Sequence, residues 1–352
     1  MLIPILWASQ APFALTGPAR EDQATQWAPL ARFGRHFFSS DPYLCRPADR
    51  KAMFAEQILN GINYGLLLFL IAAGLSLVFG VIHLINLAHG SLYMVGAFAT
   101  AAVSGLAGSF WIGAIAGVAI AFLVGVLLEQ FVIRHLYARS YLNQVLATFG
   151  LILFFNELLH WLSGGLPQFV ALPYGFEGAQ ELWRGFFYSR FRITVTIAAL
   201  LVAAALWFVI ARTKLGMLIR ASANNPSMVQ HIGFDVNLVG ALVFAVGAAL
   251  AGLAGVLSGP LVSIEVGMGE QVLILAFVIV VVGGMGSIAG TFWAAMAIGI
   301  FDTLGRAYTP QLLSELLEPR LVSSIAPAIS ATLIYVLMAV VLIVRPNGLF
   351  ER

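Results

Sequence analysis

Residues 212–235 read RTKLGMLIRASANNPSMVQHIGFD, a polar segment between two long apolar runs at 191–211 and 236–260. We name residues 212–235 the polar island. Its charged and amide side chains would lose their hydration in hydrocarbon, which is costly, so the island must lie outside the bilayer. Its cations predict the cytoplasmic side. The side chains behind this inference are Arg212, Lys214, Arg220, Asn224, Asn225, Gln230, His231 and Asp235.

The polar island also carries the signals of a short helix. Asn225 is a favourable N-cap residue, and Pro226 suits the first helical position. Gly233 suits the left-handed residue that ends a helix. A capped surface helix between two membrane helices would give a cytoplasmic protein an element to dock on. A solvated loop that only connects two spans would have the same composition, and this alternative stays open.

The composition indicates the class of protein. Hydrophobic residues make up 61% of the 352 residues and charged residues 10%, and the mean hydropathy is +0.95. A soluble domain of this length needs more surface charge. We therefore expect an all-α polytopic membrane protein in a lipid bilayer, with about eight to ten transmembrane helices and glycine-broken segments. The formal net charge of +2 is too small to indicate a nucleic-acid partner.

Residues 1–52 differ from the rest of the chain. They mix proline, charged and aromatic residues without a sustained period, which predicts a poorly ordered N-terminal extension. Residues 53–352 then form the membrane domain. The side of the N-terminus stays open, because the basic residues before the first span favour the inside, whereas counting spans back from the basic segment 134–139 favours the outside.

The apolar runs give the predicted spans, and pairs of glycines four residues apart predict close helix contacts. Gly61 and Gly65 form one such pair in the first span, and Gly113 and Gly117 form another in the third. The segments 164–190 and 306–323 are expected to be external. The predicted spans are 58–82, 86–106, 111–133, 142–163, 191–211, 236–260, two spans within 271–304, and 324–344.

Two breaks in the apolar pattern are candidates for a translocation path. Residues 83–91 place polar side chains between two spans, and GGMGS at 283–287 interrupts a run too long for one span. Glycine-interrupted segments in both halves of a transporter point to the substrate path. The alternative is that the polar groups only pack between helices. The candidate path residues are Asn86, His89, Gly90, Ser91, Gly283, Gly284, Gly286 and Ser287.

Ionisable groups in or near the spans predict local pairs. Glu129 should pair with a nearby cation, and Asp302 and Arg306 lie four residues apart on one helix face. Asn156 and His160 also share a face, which favours a polar contact near the end of their span.

The motifs of several functional classes do not occur in the sequence. It contains no GxxxxGK[ST] phosphate loop, no HExxH and no nucleophile elbow. Cys45 is the only cysteine, which excludes an internal disulfide and a cysteine-based metal cluster. We therefore expect a protein that is not an enzyme and that has no cofactor and no metal site on this chain.

Six stretches together resemble the permease subunits of branched-chain amino acid ABC importers. They cover nearly all of 53–352, and their occurrence in this order is specific to that family. One departure lies in the polar island, where Asn224 and Asn225 replace the Gln-Asp that such permeases usually carry. The stretches are NGINYGLLLFLIAAGLSLVFGVIHLINLAHGSLYMVGAF (60–98), YLNQVLATFGLILFFNELL (141–159), LGMLIRASANNPSMVQHIGFDV (215–236), GAALAGLAGVL (247–257), VVVGGMGSIAGTFWAA (280–295) and RPNGLF (345–350).

The resemblance implies a set of partners and a location in the inner (plasma) membrane. Such a permease pairs with a second, homologous permease and two cytoplasmic ATP-binding subunits, and a soluble binding protein outside delivers the substrate. The polar island then becomes the coupling loop, with residues 221–233 docking on an ATPase. The implied coupling residues are Arg220, Asn224, Asn225, Pro226, Met228, Gln230, His231 and Gly233.

The resemblance leaves the substrate open. Branched-chain amino acids are the first candidate substrates, but related permeases carry urea, short amides or aromatic acids. A self-sufficient channel or ion-coupled carrier, which needs no ATPase, is the alternative from another class.

Overall fold

The structure is a computed structural model and describes residues 50–349 except 83, 85, 138, 184, 185, 316 and 347. The predicted N-terminal extension lies outside the described residues, apart from its last three positions at the start of the first helix. The described residues form eleven helices and one two-stranded hairpin. The helices are α1 (Arg50–Ile82), α2 (His89–Ala107), α3 (Phe110–Leu136), α4 (Tyr141–Ser163), α5 (Arg190–Arg212), α6 (Lys214–Asn224), α7 (Pro226–His231), α8 (Val236–Ser258), α9 (Met268–Gly283), α10 (Ile288–Ser314) and α11 (Pro319–Val344).

Eight of these helices are long and apolar enough to cross a membrane, and the shorter α9 is apolar as well. This confirms the prediction of an all-α polytopic membrane protein. The glycine-rich interruption of the long apolar run is also confirmed, because α9 ends at Gly283 and α10 begins at Ile288.

Helix α1 lies at the centre of the bundle. In its most apolar part 83% of the residues are buried, against 11% in α11 and 17% in α5. It packs against α8, α9 and α10, while α11 and α5 keep apolar faces exposed. Exposed apolar faces of this size on spanning helices are the surface that lipid tails cover.

Glycine allows the central helices to approach closely, as the two predicted glycine pairs indicated. A Cβ atom at Gly65 would lie 2.7 Å from the Ala295 carbonyl oxygen of α10. A Cβ atom at Gly113 would lie 2.8 Å from the Thr100 carbonyl oxygen of α2. Since real Cβ atoms do not come so near to a backbone oxygen, only glycine fits these crossings.

The predicted ion pairs are confirmed. The Arg134 Nε atom lies 3.3 Å from Glu129, and the Tyr137 hydroxyl donates to the same carboxylate at 3.0 Å. Burial and the Glu129 carboxylate raise the pKa of the Tyr137 phenol above its usual range. Asp302 is buried, and Arg306 Nε lies 2.8 Å from its carboxylate.

Three predictions about the connecting segments need correction. The two helices that flank the segment 306–323 extend beyond their predicted ends at residues 304 and 324, because α10 continues to Ser314 and α11 begins at Pro319. The segment 164–190 contains an antiparallel hairpin of β1 (Ala179–Trp183) and β2 (Phe186–Ser189), which the sequence reading treated as loop. The second span begins at His89 rather than at residue 86.

Contacts between helix ends show which termini share a face of the bundle. Arg192, at the start of α5, donates to Asn60 near the start of α1. Gly80, near the end of α1, lines a small cavity of about 20 Å³ together with Gly286 and with Arg220 of the polar island. The start of α1 and the island therefore lie at opposite ends of the bundle. We name the end that contains the start of α1 and the hairpin β1–β2 the hairpin end. We name the end that contains the polar island the island end.

Candidate functional site: the polar island and the two helix breaks

The polar island folds into two short helices, each with its own cap. The Asn225 side chain accepts from the Met228 backbone N–H at 3.1 Å, Pro226 occupies the first turn of α7, and Gly233 has a φ of +95°. All three predicted helix signals are therefore confirmed. The sequence reading missed α6, although Thr213 caps it by accepting from the Gly216 N–H at 3.1 Å.

Helix α6 is fixed to the end of the spanning helix α5. A Cβ atom at Gly216 would lie 2.6 Å from the Ile210 carbonyl carbon, so the two backbones touch. The Arg220 guanidinium donates to the Ile210 carbonyl oxygen. The two helices are therefore joined by a backbone contact and by a side-chain hydrogen bond.

Helix α7 and the three residues that follow it present an exposed surface that contains apolar side chains. Met228, Ile232 and Phe234 are all more than half exposed, whereas Val229 is buried beneath them. Exposed apolar side chains among polar ones are typical of protein contact surfaces. Arg220 is half-buried, and every other predicted coupling residue is exposed: Asn224, Asn225, Pro226, Met228, Gln230, His231 and Gly233.

The first helix break is buried inside the bundle. Asn86, His89 and Ser91 are each at most 3% exposed. The Asn86 side-chain oxygen accepts from the Ala88 N–H at 3.0 Å, and His89 Nε2 lies 3.2 Å from the Ile71 carbonyl oxygen. Among the described residues, Asn86 Nδ2 and His89 Nδ1 have no hydrogen-bond partner.

Such unpaired buried groups are costly unless water or a solute reaches them. They therefore remain candidates for a path. Gly90 allows α2 to touch α9, since a Cβ atom there would lie 2.8 Å from the Gly269 carbonyl carbon.

The second helix break is a tight turn at the island end. Gly284 and Gly286 have φ values of +96° and +80°, and the Ser287 hydroxyl accepts from the Gly290 N–H at 3.2 Å. Leu349 donates its N–H to the Val282 carbonyl oxygen at 2.8 Å. The closing segment of the chain is thus packed on this turn, which the sequence reading did not predict.

The second break meets the polar island. Gly286 and Ile288 line the small cavity of about 20 Å³ that Arg220 and Ala223 of α6 also line. The first break lies deeper in the bundle, where a Cβ atom at Gly74 of α1 would come within 2.9 Å of His89. Of the three predicted parts of the site, the structure thus brings the polar island and the second break together, whereas the first break lies apart from them.

Replacing Asn225 with alanine is expected to loosen α7 without unfolding the bundle. The cap would be lost, at a typical cost of about 1 kcal/mol. Limited proteolysis should cut the island of Asn225→Ala faster than that of the parent chain, with unchanged thermal stability of the whole protein. Asn225→Asp keeps the cap oxygen and should be cut at the parent rate. Equal cutting of all three proteins would contradict the capping role.

Comparisons with known proteins extend over most of the chain. Residues 57–343 match the family described as "Branched-chain amino acid transport system / permease component". BraD of Pseudomonas aeruginosa, a high-affinity branched-chain amino acid transport system permease protein, is 28% identical over 264 residues, which cover 72% of this chain and 86% of BraD.

LivH of Escherichia coli, with the same description, is 28% identical over 313 residues, covering 85% of this chain and 96% of LivH. Among solved structures, PsaBC from Streptococcus pneumoniae in complex with Fab has a TM-score of 0.45 and 13% identity, covering 79% of this chain and 89% of that one.

Proposed function

Because the chain belongs to the branched-chain amino acid transport system permease family, we propose that it forms the translocation path of an ATP-driven importer of branched-chain amino acids. The observation that carries the proposal is the family match over 57–343, together with two permeases of that description that align over most of their length. The chain is a multi-pass membrane transport subunit and not an enzyme, and ATP hydrolysis takes place on a separate subunit.

The partners follow from this division of work. A second, homologous permease completes the path, and two ATP-binding subunits dock on the island end in the cytoplasm. A soluble binding protein delivers the substrate at the hairpin end, outside the inner membrane. The exposed apolar side chains of α7 and of the residues just after it support the docking assignment, because a loop that only reconnects two spans does not need them.

The contacts of α6 suggest how the ATP-binding subunits drive transport. Closure of the ATPase pair pushes α7 and α6, and the bond from Arg220 to Ile210 passes the movement to α5. The shared cavity passes it to the turn at Gly286 and so to α9 and α10. These spans then alternate between outward and inward openings of the path.

Transport by the assembled complex tests the proposal. The chain is expressed with its partner subunits in membrane vesicles, and uptake of radiolabelled L-leucine is measured with the binding protein and ATP. We expect uptake that requires ATP, with L-valine and L-isoleucine as competitors and urea, acetamide and L-phenylalanine as poor ones. Uptake by this chain alone without ATP would instead establish a self-sufficient carrier, and competition by urea or L-phenylalanine would change the substrate class.

A further inference from the structure

A second candidate site lies in a cleft at the hairpin end, away from the residues that the sequence singled out. It has a volume of about 410 Å³, which lies within the range of clefts that hold small molecules. Its walls come from α1, α2 and α5 and from the segment 258–272, which ends α8 and begins α9. The wall combines one cation, one carboxylate and a broad apolar surface.

The cation is Arg192, whose position is fixed by two asparagines of α1. Its guanidinium donates to the Asn60 side-chain oxygen. Asn63, only 3% exposed, donates to the Arg192 carbonyl oxygen at 3.0 Å and to the Thr196 hydroxyl at 2.9 Å. A guanidinium has five N–H donors. Arg192 therefore keeps donors for a carboxylate in the cleft, and that geometry suits a bidentate pair.

The carboxylate belongs to Glu265, on the segment that faces α1 across the cleft. The Ser263 hydroxyl donates to it at 2.8 Å, which limits its orientation and leaves further acceptor sites. The nearby Glu270 differs, because it does not line the cleft and accepts from the Asn156 side chain instead. Glu265 is thus the acid of this cleft that can receive an ammonium group.

The remaining wall is apolar and branched. The Tyr93 and Ser258 hydroxyls lie 2.7 Å apart and form a hydrogen bond with each other. The rest of this wall is therefore free to contact an apolar side chain. Burying a Leu or Val side chain against such a surface contributes about 1.5–3 kcal/mol. The wall residues are Leu67, Leu68, Ile71, Leu261, Val266 and Val272.

We infer that this cleft binds a free amino acid with a branched apolar side chain, with its carboxylate on Arg192, its ammonium on Glu265 and its side chain on the apolar wall. The inference rests on the proposed function and adds a substrate site on the permease itself. The selectivity follows from the charges: a neutral amide such as urea pairs with neither group, and a carboxylic acid without an amine leaves Glu265 unpaired.

The cleft also lies next to the first helix break. Ile71 lines the cleft, and its carbonyl oxygen is the group that His89 Nε2 contacts at 3.2 Å. The wall segment 258–272 contacts α2, the helix that begins at His89, since the Gly267 N–H points at Met94 Sδ at 3.4 Å. A substrate in the cleft would therefore be separated from the buried break by the backbone of α1 and the start of α2.

Protection of an introduced cysteine tests this site without relying on transport. In a Cys45→Ser background, Val262→Cys places a half-exposed thiol on the cleft wall, and Ser323→Cys places one on the exposed start of α11. The full chain, purified with its partner subunits in lipid nanodiscs, is labelled with a maleimide. The additions are L-leucine, leucinamide, which lacks the carboxylate, and 4-methylpentanoate, which lacks the amine.

L-Leucine is expected to slow labelling of Val262→Cys and to leave Ser323→Cys unchanged. Each analogue should need at least about tenfold higher concentration, since a charge-assisted bond is lost. In Arg192→Gln, leucine and leucinamide should protect at the same concentration. In Glu265→Gln, leucine and 4-methylpentanoate should protect at the same concentration. Arg320→Gln, an exposed cation at the same end, is the matched control and should behave like the parent.

The outcomes separate this site from the proposed function. If ATP-driven leucine uptake is intact but leucine gives no protection, or protects no better than its analogues, the cleft is not the site and the transport proposal stands. If protection with the expected selectivity occurs without any ATP-driven uptake, the cleft stands and the ATP-driven transport proposal fails. Glu265→Gln changes an exposed side chain, so it keeps the test decisive if Arg192→Gln does not fold.

Discussion

Replacing Gly299 with valine is expected to abolish the folded protein in the membrane. A Cβ atom at this position would lie 2.6 Å from the Gly61 carbonyl oxygen and closer still to the Gly65 backbone. Both partners are backbone of the central helix α1, so no side chain can turn away to make room. The contact between α1 and α10 is the most extensive helix pair among the described residues, and tight packing is the main force that holds membrane helices together.

The measurement is the amount of monodisperse protein after mild detergent extraction, read by fluorescence-detected size-exclusion chromatography. Gly150→Val is the matched control, because a Cβ atom at Gly150 of α4 meets nothing within 4 Å. It should accumulate at the parent level. Gly299→Val should fall below about a tenth of that level, because overpacking typically costs about 1–3 kcal/mol and here only backbone could move to relieve it. A normal elution profile for Gly299→Val would disprove the close packing of α1 on α10.

The sequence predicted the parts of the fold that depend on local pattern. A span must be long and apolar, so hydropathy located the spans, although α10 extends to Ser314, beyond the predicted end at residue 304. The glycine pairs Gly61/Gly65 and Gly113/Gly117 identified two crossings. The caps at Asn225 and Gly233 were readable because each uses one residue type with a specific backbone role.

Other parts depend on distant partners and could not be read locally. Helix α6 mixes apolar and polar residues over only eleven positions, and it is held by contacts of Gly216 and Arg220 with α5. The hairpin β1–β2 is short and has a register irregularity, so no clean alternation marks it. The Thr213 cap was the one local signal that could have revealed α6.

The candidate sites also combine features that local sequence predicts with features that depend on distant contacts. The second break was found from its glycines, but its contact with Arg220 is set by the path of α1 and α5. In the hairpin-end cleft, Asn63, Arg192 and Glu265 are far apart in the chain, and no spacing rule connects them. The sequence shows Arg192 only as a charge at the start of a span, where a solvated role is the usual one.

Replacing Arg220 with methionine is expected to separate ATP hydrolysis from transport. The variant keeps the length and the apolar stem of the side chain but loses the guanidinium that donates to the Ile210 carbonyl oxygen. A hydrogen bond from a charged group contributes about 1.5–3 kcal/mol, which corresponds to a tenfold or larger change in an equilibrium between two states. ATP-dependent L-leucine uptake should therefore fall at least about tenfold, while the complex still hydrolyses ATP.

Lys214→Met provides the matched control, because Lys214 is an exposed cation on the same helix α6. It should keep both uptake and hydrolysis, so a loss of positive charge alone would not explain the Arg220→Met result. A complex that dissociates on purification would indicate that Arg220 shapes the docking surface rather than transmits movement. If Arg220→Met transports leucine at the parent rate with the complex intact, the movement must reach the spans through the cavity at Gly286 and not through the end of α5.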